Sequence, residues 1–247
     1  MVTNEGTLRE LYKLAIFCLA LMPFSGFTQT IKVGLIDFPP HISFNEKNEK
    51  SLLVQYINNA FTSAGLKVTF TRFPGERGTI ELNKGSIDIL LPIDDDGSEI
   101  KTLSLPVFHS VPGLCFKKEN FIPILSATHR FHNLLIGVPI GVNVVSPLAD
   151  SSALLVSVKG DDAIDRGIEL TQRGRLDAFY HPNPNKVYHR KNKLFKEVAC
   201  SSFHGFSNDV NIAVSPLLAP DKYERINKAF VKSMKENSYE YYFASHK

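Results

Sequence analysis

The chain has 247 residues, 43% of them hydrophobic and 21% charged, with a net charge of +3. That size and balance can bury a sizeable core, as one large domain or two modest lobes, and exclude extensive disorder. The small positive charge, with no basic stripe interleaved with aromatics, gives no grounds for a nucleic-acid partner.

The N-terminus reads as a targeting segment. Arg9 and Lys13 precede the apolar run LAIFCLALMPFSGF (14–27), which gives way to polar TQT. A basic start, a short apolar stretch and a small-residue exit make a secretory signal, here 1–29, with cleavage expected between Ser25 and Thr30. The run falls short of the about 20 apolar residues that a membrane span needs, so a retained anchor or buried helix is the lesser reading. Bulky Phe17 makes Cys18 a poor lipoprotein site. Export leaves Cys115 and Cys200, and spacing alone leaves a bridge and two free thiols equally open.

From there the elements alternate. IKVGLID (31–37) is an apolar, β-branched strand that FPPH stops. Residues 50–64 place Leu53, Tyr56, Ile57, Ala60 and Phe61 at helical spacing, and Gly65 ends the helix. LKVTFTRF (66–73) alternates as a strand, a short helix follows to about Asn83, and IDILLPI is the next strand. Strand, helix, strand, helix, strand implies a parallel sheet covered by helices. The second half repeats the order: strand LLIGVPI (134–140), a helix near 147–155, strand LLVSVK, helix 161–173 and strand LDAFYH. The apolar segment VNIAVSP and a long helix, 222–237, close the chain.

Two stretches echo each other, KGSIDILLP (84–92) and RGRLDAFYH (173–181), their glycines 89 positions apart. In each, Gly supplies the left-handed cap that stops a helix, the aliphatic residue enters the core, and the Asp can bond turn amides. One copy is a weak motif; two copies at matching points of two α/β halves indicate two similar lobes.

On these residues the chain resembles bacterial family 3 periplasmic solute-binding proteins. The stretches are FPPHISF (38–44), FPGERGTIELNKGSIDILLP (73–92), LSLPVFHS (103–110), IGVPIGVN (136–143) and DDAIDRGIELTQRGRLDAFY (161–180). The resemblance implies an α/β protein of two Rossmann-like lobes joined by a two-segment hinge, the type II periplasmic-binding-protein fold. Lobe 1 would be 30–112 plus 208–247, and lobe 2 would be 113–207. Ligand would sit in the cleft between them and be trapped by hinge closure. Cys115 would lie near the first crossing and Cys200 just before the return, so neighbouring hinge segments could bring their Cα atoms within the roughly 4.4–6.8 Å that a disulfide needs, with two free thiols as the alternative.

The resemblance also says what to look for in the cleft. Amino-acid binders of this family hold the ligand carboxylate with an Arg before a Phe-Ser-x-Pro segment. This chain reads DDDGSEIKTLSLP there, with Lys101 its one cation. The Asp that holds the ligand ammonium is replaced by HPNP (181–184), leaving His181 or Asn183. Both handles for a zwitterion are missing, so an α-amino acid is not the expected ligand. Arg77 is a candidate anchor for an anionic or polar group, with a structural ion pair as the alternative. Asp94 and Asp95, with Asp96, follow a strand and could hold a cation, or form a solvated loop. Phe38 and Phe44 flank the Pro-Pro turn and could stack on a planar ligand or pack in the core. Gly141 and Asn143 would open a lobe-2 helix whose amides suit a polar group, or form an ordinary cap.

No nucleophile elbow, phosphate loop or HExxH pattern occurs, and the histidines lack metal-ligand spacing. Neither a metal nor a cofactor is expected. The expected protein is a monomeric periplasmic binder of a small polar metabolite that delivers it to an inner-membrane ABC permease. The alternatives are a dehydratase-like enzyme on the same fold and a stand-alone sensory protein that presents its ligand to a receptor.

Overall fold

The structure is a computed structural model that describes residues 30–43, 51–94, 100–123, 125, 131–160, 162–184 and 197–246. The signal segment 1–29, Phe44 and Asp95 lie outside the described residues.

The first half builds β1 (Thr30–Leu35), α1 (Leu52–Thr62), β2 (Lys67–Arg72), α2 (Gly75–Asn83), β3 (Ile89–Asp94) and β4 (Phe108–Ser110). The chain then makes β5 (Gly113–Lys117), β6 (Leu135–Pro139), α3 (Ser146–Ala149), β7 (Leu154–Val158), α4 (Ala163–Gln172), β8 (Ala178–His181) and β9 (Val198–Ser202). It finishes with β10 (Asn208–Val214), α5 (Pro220–Glu236) and α6 (Tyr239–Ser245). The strands form two five-stranded sheets, ordered β2-β1-β3-β10-β4 and β7-β6-β8-β5-β9. In each, three parallel strands are followed by two antiparallel pairings, β3–β10 and β10–β4 in the first sheet, β8–β5 and β5–β9 in the second, so only β10 and β5 run against the rest.

Both sheets are buried on two faces, which is why β1, β3 and β8 read as continuous apolar runs. In the first sheet Ile31, Val33 and Leu35 pack under α1, α5 and α6, while Ile87 and Leu90 pack with Leu82 of α2 on the other face. In the second, Ala178 and Tyr180 join one core, and Phe179 joins the core beneath α4.

The echo is a built repeat that runs further than nine residues. Gly85 and Gly174 have φ of 71° and 67°. Their amides donate to Leu82 and Thr171 carbonyls, and the next amides, of Ser86 and Arg175, reach back to Glu81 and Leu170. That pair of bonds is the glycine-closed helix end, made identically twice. Asp88 and Asp177 do not bond amides of their own strands. Their carboxylates accept the N–H of Lys32 (2.7 Å) and Leu135 (2.8 Å), at the starts of β1 and β6. Each lobe thus pins its first strand to its third.

Seven residues before each capping glycine stands another, Gly78 in α2 and Gly167 in α4. A Cβ there would meet Leu90 at 2.9 Å and Phe179 at 2.0 Å, the equivalent side chains of β3 and β8. A third pair, Gly34 and Gly137, makes room for Ile87 and Leu176. The missing side chains let helix and strand approach closely in both halves.

Two expectations are corrected. The helix near 147–155 stops at Ala149, because the Ser151 hydroxyl donates to the Leu148 carbonyl and accepts the Ala153 N–H, offering the backbone a turn instead. Cys115 and Cys200 are bridged, yet not between hinge segments: they oppose each other directly in the β5–β9 ladder. Their Cα atoms are 3.9 Å apart, below the expected window and closer than the about 4.5 Å of an ordinary directly opposed antiparallel pair.

Candidate functional site

A cavity of about 460 Å³ lies where the carboxyl ends of the parallel strands of both sheets converge. Ile36, Asp37 and Phe38, just past β1, and Pro92 and Ile93, late in β3, line the first sheet's side. Pro74, Glu76, Thr79 and Ile80 bring the first turns of α2 to it. From the second sheet come the residues around the end of β6, Pro139 to Asn143, together with Ala163 and Ile164 at the start of α4. Pro182, following β8, also lines the cavity. In open α/β sheets this is where ligands bind, because strand ends and helix starts leave backbone groups unsatisfied there. The volume suits a small metabolite.

The wall is mainly hydrocarbon, with Phe38 and Phe73 as its aromatic surfaces. Its charged side chains among the described residues are both carboxylates, Asp37 and Glu76. No Lys, Arg or His is among the described residues lining it. Two helix N-termini also face the cavity and would favour an anion, but each carries acid of its own. Glu76 lies in the first turn of α2, and Asp165 in that of α4. Asp162, preceding α4, pairs with Arg166 in turn. Among the described residues the site is therefore mainly apolar, with two carboxylates in its wall.

Among the expected site residues, the structure brings Phe38, Gly141 and Asn143 to this cavity. Arg77 is exposed and outside the lining, while its neighbour Glu76 is part of it. Asp94 is the last residue of β3, paired in register with Val210. His181 is wholly buried at the end of β8 and does not line the cavity. Its Nδ1 accepts the Asn183 backbone N–H at 3.0 Å, which leaves the neutral ring's proton on Nε2. Asp37 and Glu76 were missed by the sequence reading. The available signal was position: Asp37 stands two residues past a buried strand, and Glu76 in the first turn of the helix after the next one.

Behind the cavity His41 joins the two lobes. It is 1% exposed, stacks on Phe108 at 4.1 Å, and its Nδ1 lies 2.7 Å from the Tyr239 hydroxyl. Its Nε2 faces Asn183 Nδ2, from the second lobe, at 3.4 Å. With that amide as donor, the ring carries its proton on Nδ1 and donates to Tyr239. Burial pushes the Tyr239 phenol well above its usual range, with the nearby Tyr242 adding, so Tyr239 stays neutral. Burial also raises Tyr56, against a lowering hydrogen bond with Ser233. This cluster is structural: it fastens α6 and the Pro-Pro turn to the sheet. The His41 carbonyl accepts the Leu53 N–H at the start of α1.

No protein-family model and no curated protein matches the chain. Solved structures do match in fold. An amino acid ABC transporter substrate-binding protein from Streptococcus pneumoniae, bound to L-arginine, superposes with a TM-score of 0.65 at 18% identity, covering 84% of this chain and 89% of that one. The ancestral amino acid-binding protein AncCDT-1, a precursor of cyclohexadienyl dehydratase, gives 0.67 at 19%, covering 87% and 94%. A histidine kinase sensor domain with similarity to periplasmic binding proteins gives 0.71 at 16%, covering 87% and 95%. No helix among the described residues is long and apolar enough to cross a membrane. The chain has the two-lobed α/β fold of the periplasmic binding proteins, the architecture that its sequence resemblance implied.

Proposed function

We propose that this protein is an exported solute-binding protein, cleaved after a signal at 1–29, that traps a small metabolite between its lobes for a membrane transporter. The lobes are assigned as 30–112 with 208–247, and 113–207. The observation that carries the reading is the 460 Å³ cavity, which takes its walls from both lobes and so changes shape when they move. Phe38, Gly141 and Asn143 are ligand contacts in this reading. The ligand is not an α-amino acid. Among the described residues the lining supplies no guanidinium for a carboxylate, and an unpaired charge in a closed cleft costs several kcal/mol, in order of magnitude, after relaxation.

Two measurements on the purified chain test this. Native mass spectrometry should find a small molecule that mild denaturation releases unchanged. Titration calorimetry with the twenty standard amino acids should give no binding at micromolar concentration. Micromolar binding of any one of them would overturn the ligand assignment, and consumption of the released compound on remixing would move the reading to an enzyme.

A further inference from the structure

We infer that the chain pairs with a second copy of itself along the outer edge of β7, as an antiparallel dimer rather than the expected monomer. β7 is an end strand of the second sheet, and its open side is apolar. Seven large hydrophobic side chains are exposed among the described residues, and three of them, Leu154, Leu155 and Val156, are consecutive on this one strand. No charge interrupts Leu154–Val158. β2 holds the same place in the first sheet and differs: KVTFTR exposes Lys67, Thr69 and Thr71. A lysine on the edge keeps a strand from pairing with another chain, and β7 has none.

The backbone phase of β7 sets the register. The Leu154 N–H donates to the Leu134 carbonyl, and the Val158 carbonyl accepts the Ile140 N–H, so residues 154, 156 and 158 turn their polar groups to β6. Alternation turns those of Leu155 and Ser157 outward. A two-fold partner whose Leu155 opposes this Leu155 exchanges two N–H···O bonds there, and each Ser157 N–H reaches the Ala153 carbonyl of the other copy. The same register sets Leu154 beside Val156 of the second copy on one face, and Leu155 beside Leu155 on the other, covering all three exposed side chains. It also brings Lys159 opposite Ser151 of the second copy, next to Asp150. Asp150 and Lys159 are exposed, without an ion-pair partner among the described residues. Antiparallel pairing therefore joins opposite charges at both ends of the strand, whereas parallel pairing would oppose like with like. None of Leu154–Val158 lines the cavity, so the paired edge leaves the ligand site open.

A five-residue edge alone buries less than the about 1,200 Å² of a standard interface, so the dimer is a weak one, half-formed at about 10–100 μM. Sedimentation of the purified chain from about 5 to 500 μM should show the mass rising from one copy towards two. Leu155→Lys opposes two ammonium groups at the two-fold axis and should weaken association about tenfold or more, whereas Leu217→Lys, at a more exposed leucine elsewhere, should leave it unchanged. Cysteine probes read the register, because Cys115 and Cys200 are already bridged. With a mild oxidant, Leu155→Cys should cross-link to its own copy, since opposed Cα atoms of a hydrogen-bonded pair stand about 5.5 Å apart, inside the disulfide window. Ser157→Cys, opposite Ala153 of the second copy, should stay uncross-linked. Equal cross-linking of the two overturns the pairing, and so does association that Leu155→Lys leaves intact. A single copy throughout the concentration range overturns the inference too, leaving the edge bare or kept for a different chain, and leaves solute binding standing.

Discussion

Gly167→Ala probes the closest approach in the second lobe. A Cβ there would stand 2.0, 2.1 and 2.5 Å from Cε2, Cδ2 and Cζ of Phe179. The ring is wholly buried, and its Cδ2 is also 3.2 Å from where a Cβ on Gly137 would stand. A fully buried ring met along its whole edge cannot yield as a flexible side-chain end does, so α4 must lift from the sheet. Overpacking of that severity costs about 3 kcal/mol, at the top of the usual range. Alanine returns about 1 kcal/mol in helix propensity. The net loss is then about 2 kcal/mol, or roughly 4–8 °C in Tm for a chain of this length. Gly78→Ala is the internal control. Its Cβ meets the ends of a flexible Leu90 side chain, at 2.9 and 3.2 Å, and should be close to neutral. Calorimetric melting of both variants, and of Gly167→Ala with Phe179→Leu, gives the comparison. The second change should recover at least about 1 kcal/mol as coupling. If Gly167→Ala melted within a degree of the parent, or no earlier than Gly78→Ala, close helix–sheet contact would not be what the glycine serves.

The disulfide spans 85 residues, for which loop-closure entropy allows about 4.5 kcal/mol as an upper figure. Replacing Cys115 and Cys200 together by Ser should lower stability by about 2–4 kcal/mol in urea unfolding, and the intact protein should gain 2 Da on reduction, by the addition of about two hydrogens. The two echoed aspartates should differ. Asp88 also holds Lys222 at 2.8 Å, with both side chains about 15% exposed, whereas Asp177 is exposed and serves one amide. Asp88→Ala should therefore cost about 2–3 kcal/mol and Asp177→Ala about 1 kcal/mol, by the same urea titration. Equal losses would mean the lysine contributes nothing.

What the sequence made legible follows the length and burial of each element. β1, β3 and β8 are buried on both faces and announce themselves as apolar runs, and α1 and α5 as helical spacing. β4 is three residues, FHS, and β5 and β9 carry no period that separates them from loop. Their pairing is set by neighbours distant in sequence, so the bridge between them was invisible too. The echo was visible as nine residues because its caps and aspartates are local. Its glycine pairs 78/167 and 34/137 were not read, because a glycine's packing role depends on what approaches it. The site was half legible. Turn residues such as Phe38, Gly141 and Asn143 follow from strand ends. Arg77 and Glu76 are adjacent on one helix turn, and which of them faces inward depends on how α2 sits on the sheet.

The two chain crossings between the lobes run side by side. Ser110 pairs with Asn208 in the first sheet, the Phe203 N–H reaches the Pro112 carbonyl at 2.8 Å midway, and Gly113 pairs with Ser202 in the second. The outgoing ply has two residues between strands, Val111 and Pro112; the returning one has five, including Gly205 with φ of 80°. Together they form a two-ply strap, taut on one side and slack on the other, with its far end sewn down by the Cys115–Cys200 bridge two residues beyond. Such a strap lets the lobes swing about the short ply while resisting sideways slip. Opening then becomes a single rotation rather than a loosening, and whatever molecule holds the lobes together is felt as one angle.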